Sequence, residues 1–309
     1  MSKPLVLTFH KEEDGPLFEK IIIALKARYR LVSIEQLEML LLQKQSTKNI
    51  CHISFDDGER SFYSTIFPLL IKHNVPVSLF ISPDVVSFNT NYWFQEIEGW
   101  DEKILKSILA QHLNMRSDKL KEFPATSILK NLSFHNISAI IESYRQQTGS
   151  EKKAPQNMNT DQLKTVDASG LVTVGAHTLN HPVLANENDD DCYYEISQSI
   201  KRLETLLGHP VKYFAYPNGR AGIDFGEREM TYLRENMVSI AFSSELGNLS
   251  SSINVLSVPR MGFSRMGLEP SNPLIVYRLN LGKNWIDIKS IFKPSEKKFR
   301  QRIKKLLAT

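Results

Sequence analysis

Short apolar runs rich in β-branched residues alternate along the chain with longer stretches in which apolar positions recur at helical spacing. The runs predict strands at residues 4–9, 49–55, 76–81, 171–175, 211–216 and 238–242, with a further pair at 254–258 and 275–279. The helical stretches between them are 17–29, 34–42, 60–73, 161–168, 189–207 and 228–236. This alternation favours an α/β fold in which βα units build a parallel sheet or barrel.

The alternation breaks between residues 83 and 159. An aromatic cluster comes first, formed by Tyr92, Trp93, Phe94 and Trp100, and helical segments follow it without a convincing strand. We interpret this stretch as a helical insertion in a βα loop, where barrels usually carry their substrate-specific elements. The alternative is a structural elaboration that covers the rim. We expect a barrel over 1–292, with the insertion at about 83–159, and a separate tail over 293–309.

Length and composition fit one globular domain with an insertion. The 309 residues are 41% hydrophobic and 23% charged. No apolar run approaches the roughly 20 residues that a membrane-spanning helix requires. The N-terminus turns charged after one short apolar run, unlike a secretory signal, so a cytoplasmic location is expected. The two cysteines, Cys51 and Cys192, have no metal or redox spacing and are expected to be reduced thiols.

The net charge of +4 is concentrated in the tail, because residues 293–309 carry seven Lys or Arg against one Glu. Phe299, Ile303, Leu306 and Leu307 fall on one side of a helix there. Such a basic amphipathic helix can lie against anionic lipid, as a peripheral membrane contact, or it can dock on its own domain. No nucleic-acid partner is expected, because no groove-reading or aromatic motif accompanies these charges.

Two adjacent carboxylates, Asp56 and Asp57, follow the strand predicted at 49–55, and Gly58 comes next. In a regular strand they would face opposite sides, but the turn that Gly58 permits can aim both into one cavity. One carboxylate could then bind a cation while the other stays free as a base. The Asp-Asp-Gly triplet alone is also a common turn.

Two histidines, His177 and His181, follow the strand predicted at 171–175. Imidazoles four residues apart can chelate one divalent cation, and a carboxylate completes a facial set that leaves coordination positions open for water and substrate. A third segment, Phe-Ala-Tyr-Pro-Asn-Gly at 214–219, can turn a backbone N–H into the cavity to stabilise an oxyanion, although alone it is only a turn. In a parallel architecture these motifs meet at one end of the sheet.

Over roughly residues 4–265 the motifs resemble those of the polysaccharide deacetylase family, the NodB-homology group. The resemblance implies a distorted (β/α)7 barrel and a metal-dependent hydrolase that removes an acetyl or formyl group from an amino sugar. It also implies that Asp57, His177 and His181 hold the metal. By the same resemblance, Asp56 is the catalytic base and the backbone N–H of Asn218 stabilises the oxyanion.

Two departures from the family pattern concern the catalytic groups. Ala215 stands where the family has an arginine that orients the base, and Arg260 is the expected substitute, as in the Phe-Ala-Tyr-Pro subgroup. The family's late histidine, its general acid, has no counterpart, because no histidine follows His209. The proton donor is therefore open between Asp56, once protonated, and His10.

Three residues are expected to contact the substrate, namely His10, Trp93 and Tyr216. Trp93 begins a segment, 93–96, that resembles an aromatic and acidic stretch in family members with long insertions, and Tyr216 lies within the third motif. His10 ends the first predicted strand at the same rim. Besides binding substrate, His10 could donate the proton or be only a hydrogen-bonded histidine at a strand end.

The ligand types indicate one divalent metal ion, with zinc favoured, although sites of two histidines and a carboxylate also accept iron, cobalt, nickel or manganese. Given a cytoplasmic location, we expect a nucleotide- or lipid-linked amino sugar made for surface polysaccharide. Two other functions stay open. One is a catalytically inactive sugar-binding relative, and the other is a metal-dependent hydrolase of a non-sugar amide or an ester.

Overall fold

The computed structural model describes residues 4–245, 247, 249, 253–262 and 296–307. The strand predicted at 275–279 and the first residues of the tail, 293–295, lie outside these ranges. Within them, no helix combines the length and the hydropathy of a membrane span.

Parallel strands form the centre of the fold. They are β1 (Leu5–Phe9), β2 (Arg30–Leu31), β3 (Ile50–Asp56), β4 (Val77–Ile81), β5 (Val172–Ala176), β6 (Tyr213–Ala215), β7 (Ile240–Phe242) and β8 (Met261–Gly262). The order across the sheet is β7-β6-β5-β4-β3-β1-β8, and the short β2 pairs with the start of β3. β3 and β4 are buried at every position, as expected of parallel strands that are covered on both faces.

A short segment that ends in β8 closes the sheet. The N–H of Val258 donates to the carbonyl of Ala241, and Val258 forms a parallel bridge with Phe242 at the end of β7. Met261 and Gly262 pair with β1 at the opposite edge. Because both edges share this segment, the seven strands other than β2 enclose a barrel. The predicted (β/α)7 barrel is confirmed.

Helices surround this barrel. In the described residues they are α1 (Gly15–Lys26), α2 (Ile34–Leu42), α3 (Phe67–His73), α4 (Pro83–Ser87), α5 (Trp93–Glu96), α6 (Glu102–His112), α7 (Ala125–Leu129), α8 (Phe134–Thr148), α9 (Thr160–Asp167), α10 (Asp189–Leu207), α11 (Glu227–Glu235) and α12 (Glu296–Leu307). The bounds of α10 follow from its sequence. The Asn188 side chain caps its first turn, three aspartates lie at its positive N-terminal end, and Gly208 ends it in the left-handed region at φ 79°.

Residues 83–159, where the sequence predicts an insertion, contain α4 to α8, and from Trp93 onwards they have a hydrophobic core of their own. α12 completes this core, because Ile303 is fully buried in it and the Phe299 ring lies 5.5 Å from the ring of Phe123. The apolar face of the tail helix is therefore covered by the insertion. This agrees with docking on its own domain.

Two predicted elements differ from those observed, and the two-residue strands β2 and β8 were not predicted. Residues 254–258 contain a 3₁₀ turn, Val255–Ser257, rather than a strand, because the Asn254 side chain accepts the Leu256 N–H and curls the chain. The helix predicted at 60–73 begins with a π-helical turn at Phe62–Ile66. The strand β2 is missed because two residues are too few to show a period.

Candidate metal centre

The carboxyl ends of neighbouring barrel strands carry the polar motifs. Asp56 is the last residue of β3, His177 directly follows β5, and Ala215 ends β6. The registers place Asp56 beside Phe80 on β4, and Ala176 beside Ile81. The motifs therefore lie together at the carboxyl-terminal end of the barrel, where parallel barrels have their functional sites.

The structure brings Asp57, His177 and His181 together. The Oδ1 atom of Asp57 lies 3.8 Å from Nε2 of His177 and 3.6 Å from Nε2 of His181, and the three ligand atoms lie within 4.8 Å of one another. All three side chains are buried. Asp57 Oδ1 has no hydrogen-bond partner, which is costly for a buried carboxylate oxygen unless a cation binds it. One carboxylate and two imidazoles fit one divalent cation.

A backbone contact fixes the orientation of His177. Its Nδ1 donates to the carbonyl of Ala215 at 2.7 Å, so the lone pair is left on Nε2, the atom that faces Asp57. Metal-binding histidines ordinarily use their second nitrogen in this way. Ala215 stands where the sequence motif of the family has an arginine, and it contributes its backbone carbonyl to the site.

Burial sets the protonation of the three side chains in the absence of an ion. It lowers the pKa of His177 to about 4 and that of His181 well below its usual value, so both imidazoles are neutral at neutral pH. It raises the pKa of the Asp57 carboxyl to about 7. A bound cation would reverse the effect of burial on Asp57, because ligands bind metals in their deprotonated form.

Beside this cluster, Asp56 forms a bidentate ion pair with Arg260. Both contacts, Nη1 to Oδ1 and Nη2 to Oδ2, are 2.8 Å long. The guanidinium is itself buried between the rings of Phe80 and Phe242, whose centroids lie 5.5 and 5.3 Å away. It also donates to the hydroxyl of Ser54. Arg260 therefore occupies the position that the sequence predicts for the residue that orients the base.

The charge state of Asp56 differs from that of its neighbour Asp57. Burial would raise the pKa of Asp56, but Arg260, followed by His177 and His10, outweighs burial and holds that pKa well below its usual value. Two adjacent carboxylates thus have opposite shifts. Such divergence is common where one group serves as a base and the other as a ligand.

Several site residues have a left-handed backbone, which is uncommon outside glycine. The φ angles are 69° at Asp57, 63° at Thr178, 59° at His181 and 59° at Asn218, and Gly58 follows with 68°. Strained conformations of this kind persist only where the surroundings hold them, and they cluster at functional sites.

Tyr92 and Trp93, in the insertion, each donate a hydrogen bond to the backbone of one of these left-handed residues. The Tyr92 hydroxyl donates to the carbonyl of Asp57 at 2.8 Å, and Nε1 of Trp93 donates to the carbonyl of His181 at 3.1 Å. The ring of Phe94 lies edge-on to the His181 imidazole at 5.1 Å. Trp93 is buried and thus supports the site from behind rather than facing open space. Sequence reasoning missed Tyr92, because a backbone contact leaves no pattern in the sequence.

The other predicted site residues lie at different depths. The His10 side chain is 58% exposed, and its Nε2 is 3.8 Å from Oδ2 of Asp56, at the rim. The N–H of Asn218 donates to no acceptor among the described residues, whereas its carbonyl accepts from the Ser244 hydroxyl. Tyr216 is buried in the main core, where its ring stacks on Phe225. The predicted contact of Tyr216 with substrate therefore has no support in its surroundings.

Comparison with known proteins identifies relatives of this arrangement. Residues 124–231 match the family model of polysaccharide deacetylase, a segment that contains His177 and His181 but not Asp56 or Asp57. No curated protein sequence gives a significant match. The matched segment belongs to the family that the motifs resemble, and it covers less than half of the chain.

Solved structures share the fold at low sequence identity. The Streptococcus pyogenes deacetylase PplD in complex with acetate superposes with a TM-score of 0.58 at 16% identity, over 88% of this chain and 97% of that one. IcaB from Ammonifex degensii gives 0.57 at 18%, over 86% and 94%. The de-N-acetylase from Aggregatibacter actinomycetemcomitans gives 0.53 at 16%, over 90% and 99%. These likenesses extend over nearly the whole of each neighbour.

Proposed function

We propose that this protein is a metal-dependent carbohydrate N-deacetylase, which hydrolyses the N-acyl bond of an amino sugar. The observation that carries the proposal is the meeting of Asp57, His177 and His181 beside a second carboxylate, Asp56, that Arg260 keeps ionised. The matched family and the deacetylases among the structural neighbours support the same reaction.

The residues divide the work of hydrolysis between them. A divalent cation held by Asp57, His177 and His181 would polarise the acyl carbonyl and make water a better nucleophile. Asp56 accepts the proton of the attacking water, which its ionised state and its place beside the cluster allow. As water adds to the acyl carbon, the N–H of Asn218 donates to the oxyanion, a contact that contributes about 3 kcal/mol in comparable sites.

The C–N bond then breaks to give a free amine and a carboxylic acid, which releases its proton to water and leaves as the carboxylate. The proton held by Asp56 passes to the leaving nitrogen, so that Asp56 serves as base and then as acid. His10, at the rim 3.8 Å from Asp56, is the competing donor. Replacing His10 by Gln decides between them, because only a donor role predicts a large loss of turnover with little change in KM.

The finer assignments follow the chemistry of the residues. Zinc is proposed as the metal because of the ligand types, and acetyl as the acyl group, with formyl the alternative. The sugar is proposed to be carried on a nucleotide or a lipid, as in the biosynthesis of surface polysaccharide. Acetate bound to one structural neighbour supports the acetyl choice.

Release of acetate or formate tests the proposal. The zinc-loaded protein is incubated with nucleotide-linked, lipid-linked and oligomeric N-acyl amino sugars, and with aliphatic amides and simple esters. We expect release from an amino sugar, and a loss of about 10²-fold or more in the Asp56→Asn and Asp57→Asn variants. Asp190→Asn, at an exposed position of α10, is the matched control. Turnover of Asp56→Asn within a few-fold of the wild type would exclude Asp56 as the base.

One observation favours a second candidate, a sugar-binding protein without catalytic activity. No histidine follows His209, so the late general acid of the family is absent. This candidate predicts binding of an amino sugar, measured by calorimetry, with no acyl release in the presence of any of the five metals. The paired, ionised Asp56 counts against it.

A further inference from the structure

The segment that carries both histidines, residues 177–181, is strained and needs external support; we call it the histidine turn. Two of its non-glycine residues, Thr178 and His181, have φ angles of 63° and 59°. Each left-handed residue costs roughly 1–2 kcal/mol relative to the ordinary helical region. The direction in which the two imidazoles point therefore depends on contacts that hold the turn from outside.

Glu195, in the first half of α10, supplies the contacts to the middle of the histidine turn. Its Oε2 accepts the N–H of Leu179 at 2.9 Å and the N–H of Asn180 at 3.1 Å, and its Oε1 accepts the side-chain amide of Asn180 at 2.8 Å. The residue is 6% exposed. A carboxylate that accepts three N–H groups forms charge-assisted bonds, which are about twice as strong as neutral ones.

Other contacts hold only the ends of the histidine turn. The hydroxyl of Ser82 donates to the carbonyl of His177 at 2.9 Å, and Nε1 of Trp93 donates to the carbonyl of His181. Within the turn, Oγ1 of Thr178 accepts the N–H of His181 at 3.0 Å. Of the three backbone N–H groups between the two ligands, those of residues 179 and 180 therefore donate to a single side chain. Among the described residues, no other side chain accepts two backbone N–H groups of the histidine turn.

We propose that Glu195 is a positioning residue of the metal centre, which holds the histidine turn in the conformation that aims both imidazoles at Asp57. This inference rests on the proposed metal site. It adds a residue outside the sequence motifs, Glu195, that determines how the two histidine ligands are oriented. Because Glu195 is not one of the three ligand residues, its loss changes the affinity and the geometry of metal binding rather than the set of ligands.

Cobalt and zinc titrations of the metal-free protein test the assignment. We expect Glu195→Gln to weaken zinc affinity about 10-fold and Glu195→Ala about 100-fold, the range found when residues that orient metal ligands are removed. The absorption spectrum of bound Co²⁺ should change in position and intensity, since it reports the arrangement of ligands, whereas a general loss of stability would leave it unchanged. Glu195→Asp should recover part of the affinity if its shorter carboxylate still reaches one N–H.

The same helix offers a matched control. Glu204 lies nine residues further along α10 and also accepts a backbone N–H, that of Val211 at 3.1 Å, but it does not contact the histidine turn. Glu204→Gln should keep the zinc affinity and the Co²⁺ spectrum of the wild type. Wild-type affinity and spectrum in Glu195→Gln would overturn the proposal.

Hydrogen exchange of the wild-type protein covers the remaining outcomes. The N–H groups of residues 179 and 180 should be protected in the metal-free state, because Glu195 and not the ion holds them. If the Glu195 variants fail to fold, rapid exchange of both groups in the wild type overturns the proposal, and protection supports it. If the wild type binds no cation, the proposed function fails, and exchange still decides whether Glu195 holds the turn.

Discussion

Replacing Arg260 by Met should destabilise the protein far more than the loss of an ordinary surface charge. The substitution removes both 2.8 Å contacts. It leaves the carboxylate of Asp56, which is only 4% exposed, without its positively charged arginine partner. Breaking a buried pair from one side costs about 3–5 kcal/mol, because the remaining charge stays desolvated. Chemical denaturation at pH 7 measures this as a lower midpoint with an unchanged slope.

The pH dependence of the same variant follows from the sign of the pKa shift. In the wild type the folded pKa of Asp56 is depressed, so its contribution to stability is present above the unfolded pKa of about 3.9 and is lost as pH falls through the folded value. Arg260 is the strongest of the charges that oppose the effect of burial on Asp56. Without it, burial raises the pKa of Asp56. The stability of Arg260→Met should therefore decrease as pH rises above about 4, whereas Asp56 produces no such decrease in the wild type.

Two further variants isolate the pair. The double variant Asp56→Asn/Arg260→Met should be more stable than the sum of the single changes by about 0.5–3 kcal/mol, because neither charge is then left alone. Arg234→Met removes a half-exposed partner of Glu227 and should cost less than about 1 kcal/mol. If Arg260→Met costs no more than Arg234→Met, or if the single changes add without coupling, the buried pair does not stabilise the protein in this way.

Three more predictions concern other parts of the structure. Zinc affinity, measured by competition with a chelator, should fall about tenfold per pH unit below pH 7. The cause is that zinc must displace the proton of Asp57, whose pKa is about 7 when no metal is bound; an affinity that does not change with pH contradicts this. Gly58→Ala should cost more stability than Gly99→Ala, since both have positive φ but only at Gly58 would the new Cβ lie 2.1 Å from a side chain on β4; equal midpoints in urea contradict this. Arg300→Met should lower stability more than Arg302→Met, because Arg300 and its partner Asp224 in the loop after β6 are both buried, whereas Arg302 forms an exposed pair that contributes less than about 1 kcal/mol; equal losses on denaturation contradict this.

The barrel was predictable because its strands are continuous apolar runs, a pattern that survives in any parallel sheet that is covered on both faces. The helix 189–207 was predictable in full, since a cap, three acidic residues and a terminal glycine mark its ends. The closing segment was harder to foresee. It joins both edges of the sheet through Val258 and the two-residue strand β8, and neither is long enough to show a period.

The candidate site was predictable as far as its residues carry chemical side chains in a strand-end motif. Asp57, His177 and His181 were placed together from sequence, and Arg260 was linked to Asp56 although more than two hundred residues separate them. How the chain divides into domains stays a prediction.

Residues that support the site through the backbone were not predictable. Tyr92 and Glu195 contact peptide groups, and any residue with the right donor or acceptor could occupy such a position without changing the motif. Tyr216 illustrates the opposite case. An aromatic residue in a motif looks the same in sequence whether it faces substrate or the core, and here packing against Phe225 places it in the core.

Anomalous X-ray diffraction at the zinc edge, from crystals of the zinc-loaded protein, tests most directly whether Asp57, His177 and His181 bind one ion. We expect one strong peak bound by Oδ1 of Asp57 and by Nε2 of His177 and His181, with Asp56 close by, still paired to Arg260 and not a ligand. No peak at this place, a peak bound by other residues, or imidazoles that point away from Asp57 would contradict this expectation.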